Sequence, residues 1–374
     1  MLQNLDEKLN EMGPIALSNP WFGVGGLERV YLAVTSVKRD ATIVVAKNFH
    51  DQDSFSFYFG DHKPFPEVFD IDLMVEGDSP HVHLCMNAAL ERYFATAAKS
   101  HAAHVTNHWG LFFTPPASCE ITLVYFQPGV WEMEQIKKNP VLFNLYRDIL
   151  QERRVLANSM YMKDILKQDF DCEATVLYPC TDTEYFLQGD DKQTKRHDVM
   201  IFSRLNPGKQ FTAALDMFKD ITRRRPKTRY VIAGAIRREE MNFLEQLKEL
   251  AAKNGLERSI TFVPNPSLQD LKALYEASKL LAFLPKNEPL GLVPVEAMVA
   301  GVPVVAFNSG GATETVMQDK TGILCDDEEG MVDAIVDLLD DPEKADAMRE
   351  NSSLIQEKFS ERSFLSNLIN IIEG

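Results

Sequence analysis

The stretch EPLGLVPVEAMVAGVPVVAF, residues 288 to 307, decides how the rest of the chain is read. It is apolar enough to suggest a membrane helix, yet Pro294, Gly301 and Pro303 interrupt it and Glu296 sits in its middle. A spanning helix needs about 20 uninterrupted apolar residues and tolerates an acid at its centre poorly. The stretch therefore reads as a buried helix, VEAMVAG, closed at Gly301, followed by a buried strand, VPVVAF, rich in β-branched residues.

The same alternation extends in both directions. Towards the amino terminus of this half come KLLAFLP (279–285) as a strand, SLQDLKALYEAS (267–278) as a helix, SITFVP (259–264), EEMNFLEQLKELAAKNG (239–255), RYVIAG (229–234), TAALDMFKDITRR (212–224) and VMIFSRL (199–205). A final helix, EGMVDAIVDLLDD (329–341), follows. The first half repeats the pattern. PIALSN (14–19), ATIVVA (41–46), DIDLMVE (70–76), HVTN (104–107), ITLVYF (121–126) and ATVLYP (174–179) read as strands. GGLERVYLAVTSV (25–37) and LFNLYRDILQERRVLANS (142–159) read as helical. SFSFYFG (54–60) alternates Phe55, Phe57 and Phe59 and reads as a half-buried hairpin strand, with an acceptor platform as the other reading. Strand–helix alternation implies parallel sheets with right-handed crossovers. The polar segment QGDDKQTKRHD (188–198) separates two such blocks as a linker. The expected class is α/β, with two doubly wound, Rossmann-like domains at 1–190 and 191–355. Ligands then bind at the carboxyl ends of the strands, in a cleft between the domains.

The bulk composition agrees. At 374 residues, 45% hydrophobic and 25% charged, the chain is long enough for two full cores. The net charge of −16, acidic in both halves, repels nucleic acid phosphates and anionic lipid headgroups, while leaving room for a local basic pocket. Five scattered cysteines without a CxxC pair read as free thiols of a reducing compartment. The polar start MLQNLDEKLNEM carries no secretion signal, so the expected location is the cytoplasm.

What, then, are Glu288 and Glu296 for? Glu288 follows the strand KLLAFLP at its carboxyl end, and Pro289, Leu290 and Gly291 make a tight turn into a helix near Val293. Pro294 suits a first helical turn. The N–H groups of Gly291, Leu292 and Val293 then offer a site for a phosphate or sugar oxygen beside the positive end of a helix dipole. Glu296, expected in that helix's first turn, can accept from a vicinal diol such as a ribose, and Glu288 from a sugar hydroxyl. The same two residues also fit a helix-terminus charge and a solvated loop acid. FSRLNPGKQF (202–211) adds Arg204 and Lys209 at another strand's carboxyl end, where Gly208 lets the chain turn. Two cations on a pyrophosphate can replace a divalent metal, and no cluster with metal-ligand spacing is visible.

These residues resemble glycosyltransferase family 4, retaining enzymes of GT-B fold whose donor motif, E-x7-E, has the spacing of Glu288 and Glu296. NEPLGLVPVEAMVAGVPVVAFNSGGATETV (287–316) is similar to that family's core, SRLNPGKQF to its Arg/Lys element and GVGGLERV (23–30) to its glycine-rich first loop. VLYPCTDTEYF (176–186) and TGILCDD (321–327) are similar too, and the mannosyl-transferring branch is nearest. The resemblance is dense from about 155 to 330 and thin before that, apart from the first loop. It implies donor-sugar contact by Glu288, ribose contact by Glu296, diphosphate binding by Arg204 and Lys209, and close backbone approach at Gly25 and Gly26. It implies a C-terminal helix, 356–374, crossing back to the first domain. The implied reaction moves a hexose from a GDP-mannose or UDP-glucose type donor to a hydroxyl acceptor, with no cofactor and no metal. Where the family places a histidine, VYFQPGVW (124–131) has Gln127, and His108 with Trp109 lies one strand earlier on the acceptor side. Pro264 stands where the family tends to have glycine beside the base. A non-catalytic sugar-nucleotide-binding relative and a GT-B phosphorylase or epimerase are the rival readings. A nicotinamide oxidoreductase lacks support because Glu28 stands where the third glycine of G-x-G-x-x-G is needed.

Overall fold

The structure, a computed structural model, describes residues 7–8, 11–22, 26–38, 40–48, 52–60, 68–70, 80–96, 101–108, 111, 119–187, 197–236 and 241–374. The chain forms two compact units, Met1–Thr181 with Glu361–Gly374, and Asp182–Ser360.

The first unit holds a seven-stranded sheet of β1 (Ile15–Phe22), β2 (Thr42–Asn48), β3 (Val68–Asp70), β4 (His101–Asn107), β5 (Cys119–Phe126), β6 (Arg154–Ala157) and β7 (Ala174–Val176). Its order is β3-β2-β1-β4-β5-β6-β7, parallel throughout. The second unit holds β8 (His197–Phe202), β9 (Tyr230–Gly234), β10 (Ile260–Pro264), β11 (Ser278–Phe283), β12 (Val304–Phe307) and β13 (Gly322–Cys325). Its order is β10-β9-β8-β11-β12-β13, again parallel. In each sheet the direction of winding reverses beside the first strand, between β1 and β4 and between β8 and β11. Those switch points are where doubly wound sheets bind ligands, outside the strands' carboxyl ends.

Burial follows the alternation. Val199, Ile201, Tyr230, Ile232, Leu280, Ala282 and Val305 are buried in the strands of the second core. Phe211, Leu215, Phe218 and Ile221 bury one face of the helix Phe211–Arg224 against them. Such burial is the main stabilising term of both units.

The units differ in extent from the expected domains. The short helix Thr183–Phe186 belongs to the second unit, because the Phe186 ring meets Tyr275 at 5.8 Å and Lys272 Nζ donates to the Tyr185 carbonyl at 2.6 Å. The helix Ser352–Phe359 also stays there, with Ile355 and Phe359 buried and Lys358 donating to the Glu314 carbonyl. The last helix, Glu361–Glu373, returns to the first unit, where Phe364, Leu365, Leu368 and Ile372 join the core around Tyr31 and Leu17. Of the expected linker, residues 188–196 lie outside the described residues.

Two local expectations are corrected. SFSFYFG is not a strand. Residues Gln52–Phe59 are helical, with Phe55 and Phe59 buried side by side at 5.0 Å and Phe57 41% exposed on the other face. Nor is 142–159 helical throughout. The helix Pro140–Gln151, capped by Asn139, turns at Glu152 and Arg153, and the chain then inserts β6 between β5 and β7. Of the expected strand DIDLMVE, Asp70 ends β3, and 71–76 lie outside the described residues. Among the described residues no helix is long and apolar enough to cross a membrane.

Candidate functional site

At the switch point of the second unit two charged side chains come together. After β8 the chain passes Ser203 and Arg204 and folds into a short 3-10 turn, Pro207–Lys209. Asn206 forms this turn: its side chain accepts from the Gly208 amide at 3.1 Å, and its carbonyl accepts from the Lys209 amide at 3.2 Å. Gly234 at the end of β9 is packed so closely on the Ser203 carbonyl that a Cβ there would lie 1.7 Å from its oxygen. Arg204 is exposed. Lys209 reaches the neighbouring strand's loop, where its ammonium donates to both carboxylate oxygens of Glu288, at 3.0 and 2.8 Å. The two side chains are 17% and 25% exposed, so the pair is only partly screened by water.

Glu288 is itself held by a second turn. Gly310 (φ +59°) and Gly311 approach it so closely that side chains there would meet backbone: a Cβ on Gly311 would lie 2.2 Å from the Leu290 Cα. The Gly311 amide donates to the Glu288 carbonyl at 2.8 Å, and Asn287 N–H donates to Ser309 Oγ at 3.2 Å. The NSGG segment (308–311) thus serves as a brace for the glutamate loop. Pro289 and Leu290 are buried, Gly291 (φ +85°) turns the chain, and the helix Leu292–Val299 starts with Leu292 and Val293 half-buried.

Glu296 departs from expectation. It is the fifth residue of that helix, beyond the first turn, and is 1% exposed. The Tyr275 hydroxyl donates to its Oε2 at 3.3 Å, and the Tyr275 ring is fixed against Phe186 and Phe202. The helix begins one residue before Val293, Pro294 takes the third position, and Glu296 lies on the side that packs on Tyr275. The acid pair Asp326-Asp327 is committed elsewhere: Asp326 accepts from Asn308, and Asp327 caps the helix Glu328–Asp340. Among the described residues no group of three or more His, Cys, Asp or Glu is placed to hold a metal ion.

The switch point of the first unit is different in kind. Ser18 Oγ and His104 Nε2 share a hydrogen bond of 2.7 Å, fully buried between β1 and β4. Tyr31 and Thr106 both donate to the Ser18 carbonyl, at 2.7 and 3.3 Å, and Asn107 Nδ2 donates to Asn19 Oδ1 at 2.9 Å. Burial, with nearby His101 adding to it, lowers the His104 pKa to about 3, so this imidazole is neutral at ordinary pH. His108, buried just past β4, has its Nε2 3.6 Å from Glu132 Oε2. The same Glu132 oxygen accepts from the Gly129 amide at 2.5 Å, at the start of the helix Val130–Lys138. Gln127 follows β5 and is half-buried.

Residues 183–354, nearly all of the second unit, match the family model described as glycosyl transferases group 1. The chain is 25% identical to the alpha-1,3/1,6-mannosyltransferase ALG2 of Rhizomucor pusillus, covering 95% of this chain and 90% of that protein. It is 32% identical to the GDP-mannose-dependent alpha-(1-6)-phosphatidylinositol monomannoside mannosyltransferase of Mycolicibacterium smegmatis, over 46% of this chain and 48% of the relative. Among solved structures, sucrose-phosphate synthase from Thermosynechococcus elongatus superposes with a TM-score of 0.79 at 18% identity, covering 96% of this chain and 98% of that one. The two doubly wound sheets are thus the GT-B architecture. The second unit is thus similar to the group 1 glycosyl transferases, and the chain is a glycosyltransferase.

In this glycosyltransferase the structure brings Lys209 and Glu288 together and puts Arg204 on the same loop as Lys209. It places Pro289, Leu290, Gly291, Leu292 and Val293 on one continuous turn into a helix. Gly26 opens the helix Gly26–Val37, while Gly25 and Trp109 lie outside the described residues. Sequence reasoning missed Tyr275, Glu132 and the Ser18–His104 pair. Tyr275 had one usable signal, a lone aromatic hydroxyl on the apolar face of LQDLKALYE. The others sit among strand and helix residues with no motif around them.

Proposed function

We propose that the hexose this enzyme transfers from its nucleoside diphosphate sugar is mannose, taken from a GDP-mannose-type donor and passed to a hydroxyl acceptor with retention. The carrying observation is the convergence of Lys209 and Glu288 at the second sheet's switch point, inside the segment that matches the family. The names of the two mannosyltransferase relatives support the choice of sugar.

In this reading Arg204, Lys209 and the start of the helix Leu292–Val299 take up the negative charge that grows on the diphosphate as the sugar C1–O bond breaks. Glu288 accepts from a donor-sugar hydroxyl, and Glu296 from the ribose. The acceptor oxygen bonds to C1 on the face the diphosphate leaves, and its proton passes to the departing phosphate oxygen. The step needs neither a protein nucleophile nor a metal ion. Gln127 and His108 are the acceptor-side candidates. A cytoplasmic location is supported by the free thiols Cys85, Cys172 and Cys325.

A panel of nucleotide sugars tests the donor. GDP-mannose at a hundred times its dissociation constant should add about 2.7 kcal/mol of stability, with UDP-glucose well behind. Stabilisation by UDP-glucose alone would overturn the mannosyl reading. The coupling constant of the product's anomeric proton reports retention, and turnover in EDTA reports metal independence.

A further inference from the structure

We propose that the Lys209–Glu288 ion pair is an exchange latch, which lets the site favour an intact sugar donor over a bare diphosphate and helps expel the spent nucleotide. The inference rests on the reading of this site as the donor site, and it deepens that reading. Without ligand, both carboxylate oxygens of Glu288 accept from the one ammonium of Lys209, at 3.0 and 2.8 Å, in a partly buried setting. The pair uses two of the three ammonium N–H donors and one lone pair on each carboxylate oxygen, so a ligand that draws either group towards itself weakens this two-point contact.

The consequence depends on what the ligand carries. A bare diphosphate can replace Glu288 as the partner of Lys209, but it strands the carboxylate, half-desolvated and close to new negative charge. Stranding one member of such a pair costs more than the pair itself is worth. A nucleoside diphosphate sugar supplies both replacements: phosphate oxygens accept from Lys209, and a sugar hydroxyl donates to Glu288. Once the sugar has been transferred, the hydroxyl is gone and the carboxylate is again unpartnered. Closure of the latch then competes with the remaining nucleotide for Lys209. The brace of Gly310 and Gly311 keeps the Glu288 backbone in place, so the exchange is confined to the two side chains.

The latch predicts an unusual sign. Removing the charge of an acid in an anion site commonly helps anions a little, but here the gain must run through Lys209. Glu288→Gln should tighten binding of inorganic pyrophosphate by about three- to tenfold, the scale of a partly exposed charge pair. In the Lys209→Met background the same substitution should change pyrophosphate affinity less than twofold. In Glu288→Gln the preference for GDP-mannose over GDP should also fall by a similar factor. Calorimetric titration of the full chain with pyrophosphate, GDP and GDP-mannose reads all three. Should Glu288→Gln fail to fold, Glu288→Ala frees Lys209 equally well and is read in its place. If Glu288→Gln leaves pyrophosphate affinity unchanged or weakens it, or if the gain persists without Lys209, the latch is overturned while the donor site stands. If pyrophosphate binds neither wild type nor Glu288→Gln, the donor-site reading itself fails.

Discussion

At the switch point of the first sheet, Ser18, Asn19, His104 and Asn107 are neutral, buried and hydrogen-bonded in pairs. At that of the second, Lys209 and Glu288 are charged and partly exposed. Ser18, Asn19, His104 and Asn107 tie β1 to β4 through hydrogen bonds that exclude water. Lys209 and Glu288 connect the loops after β8 and β11 through a single ion pair that a ligand can displace. The same topology thus carries a rigid end and an exchangeable end. Buried networks whose members satisfy one another fix geometry, whereas a half-solvated pair costs little to open.

The largest effect that would break this contrast is on turnover. Arg204→Ala or Lys209→Ala should lower the transfer rate roughly 10²–10³-fold, the scale for removing one preorganised charge donor. The melting temperature of Arg204→Ala should stay near wild type, because that side chain is exposed. A small rate effect, or loss of all activity in EDTA with rescue by manganese, would assign the leaving charge to something other than these cations.

Next comes Gly311→Ala. Its Cβ would stand 2.2 Å from the Leu290 Cα, a backbone contact that no rotamer relieves. The glutamate loop must shift, and misplacement of about 1 Å can cost about 10²-fold in rate. Steady-state kinetics should show that loss in kcat/KM, with hydrogen exchange in the first unit unchanged. Wild-type kinetics would show that the brace is dispensable.

These two experiments fall on residues that the sequence displays openly, and the reason is physical. Charged groups at fixed spacing beside glycines and prolines, as in SRLNPGKQF and NEPLGLVPVEA, have few other uses, so their pattern survives without coordinates. Strand–helix alternation is legible for the same reason: a parallel sheet buried on both faces demands continuous apolar runs. The failures also have causes. Phe55, Phe57 and Phe59 satisfy a period of two, but burial of Phe55 with Phe59 follows the helical spacing of four. The acid of VPVEAMV reads as a ligand group at an open helix start, but every residue of that helix from Pro294 to Val299 is buried, and Glu296 faces Tyr275. The network around Ser18 leaves no trace, since a serine or histidine inside a strand looks the same whether it faces solvent or a partner.

The neutral end should reveal itself in acid. His104 has a pKa of about 3 in the folded chain, well below the ordinary histidine value near 6.5. Between those values the unfolded chain binds a proton that the folded chain does not, so stability rises with pH there and falls as pH drops below about 6.5. The loss amounts to about 1.4 kcal/mol per pH unit once the unfolded histidine is fully charged. Hydrogen exchange of β1 and β4 amides between pH 7 and pH 5 should follow that slope, and His104→Gln should flatten it. An unchanged slope in His104→Gln would mean that other groups set the acid sensitivity of this unit.

The smallest effect probes Glu296, which belongs by burial with the neutral end and by charge with the other. Tyr275→Phe removes a hydrogen bond to Glu296 Oε2 that is long, at 3.3 Å, and keeps the ring packing against Phe186 and Phe202. Bonds to charged groups contribute about 1.5–3 kcal/mol, and a bond this long belongs at or below the lower end. The ligand-free variant should therefore lose about 1 kcal/mol, or roughly 2–4 °C in melting temperature for a domain of this size. If a ribose diol donates to Glu296 in the complex, the nucleotide supplies the donor that the variant lacks. Saturating GDP should then recover part of the loss, and the ligand-induced shift should be larger in Tyr275→Phe than in wild type. Equal shifts in the two proteins would mean that the ribose never reaches Glu296, whose carboxylate would then serve only to hold the helix Leu292–Val299 against Tyr275.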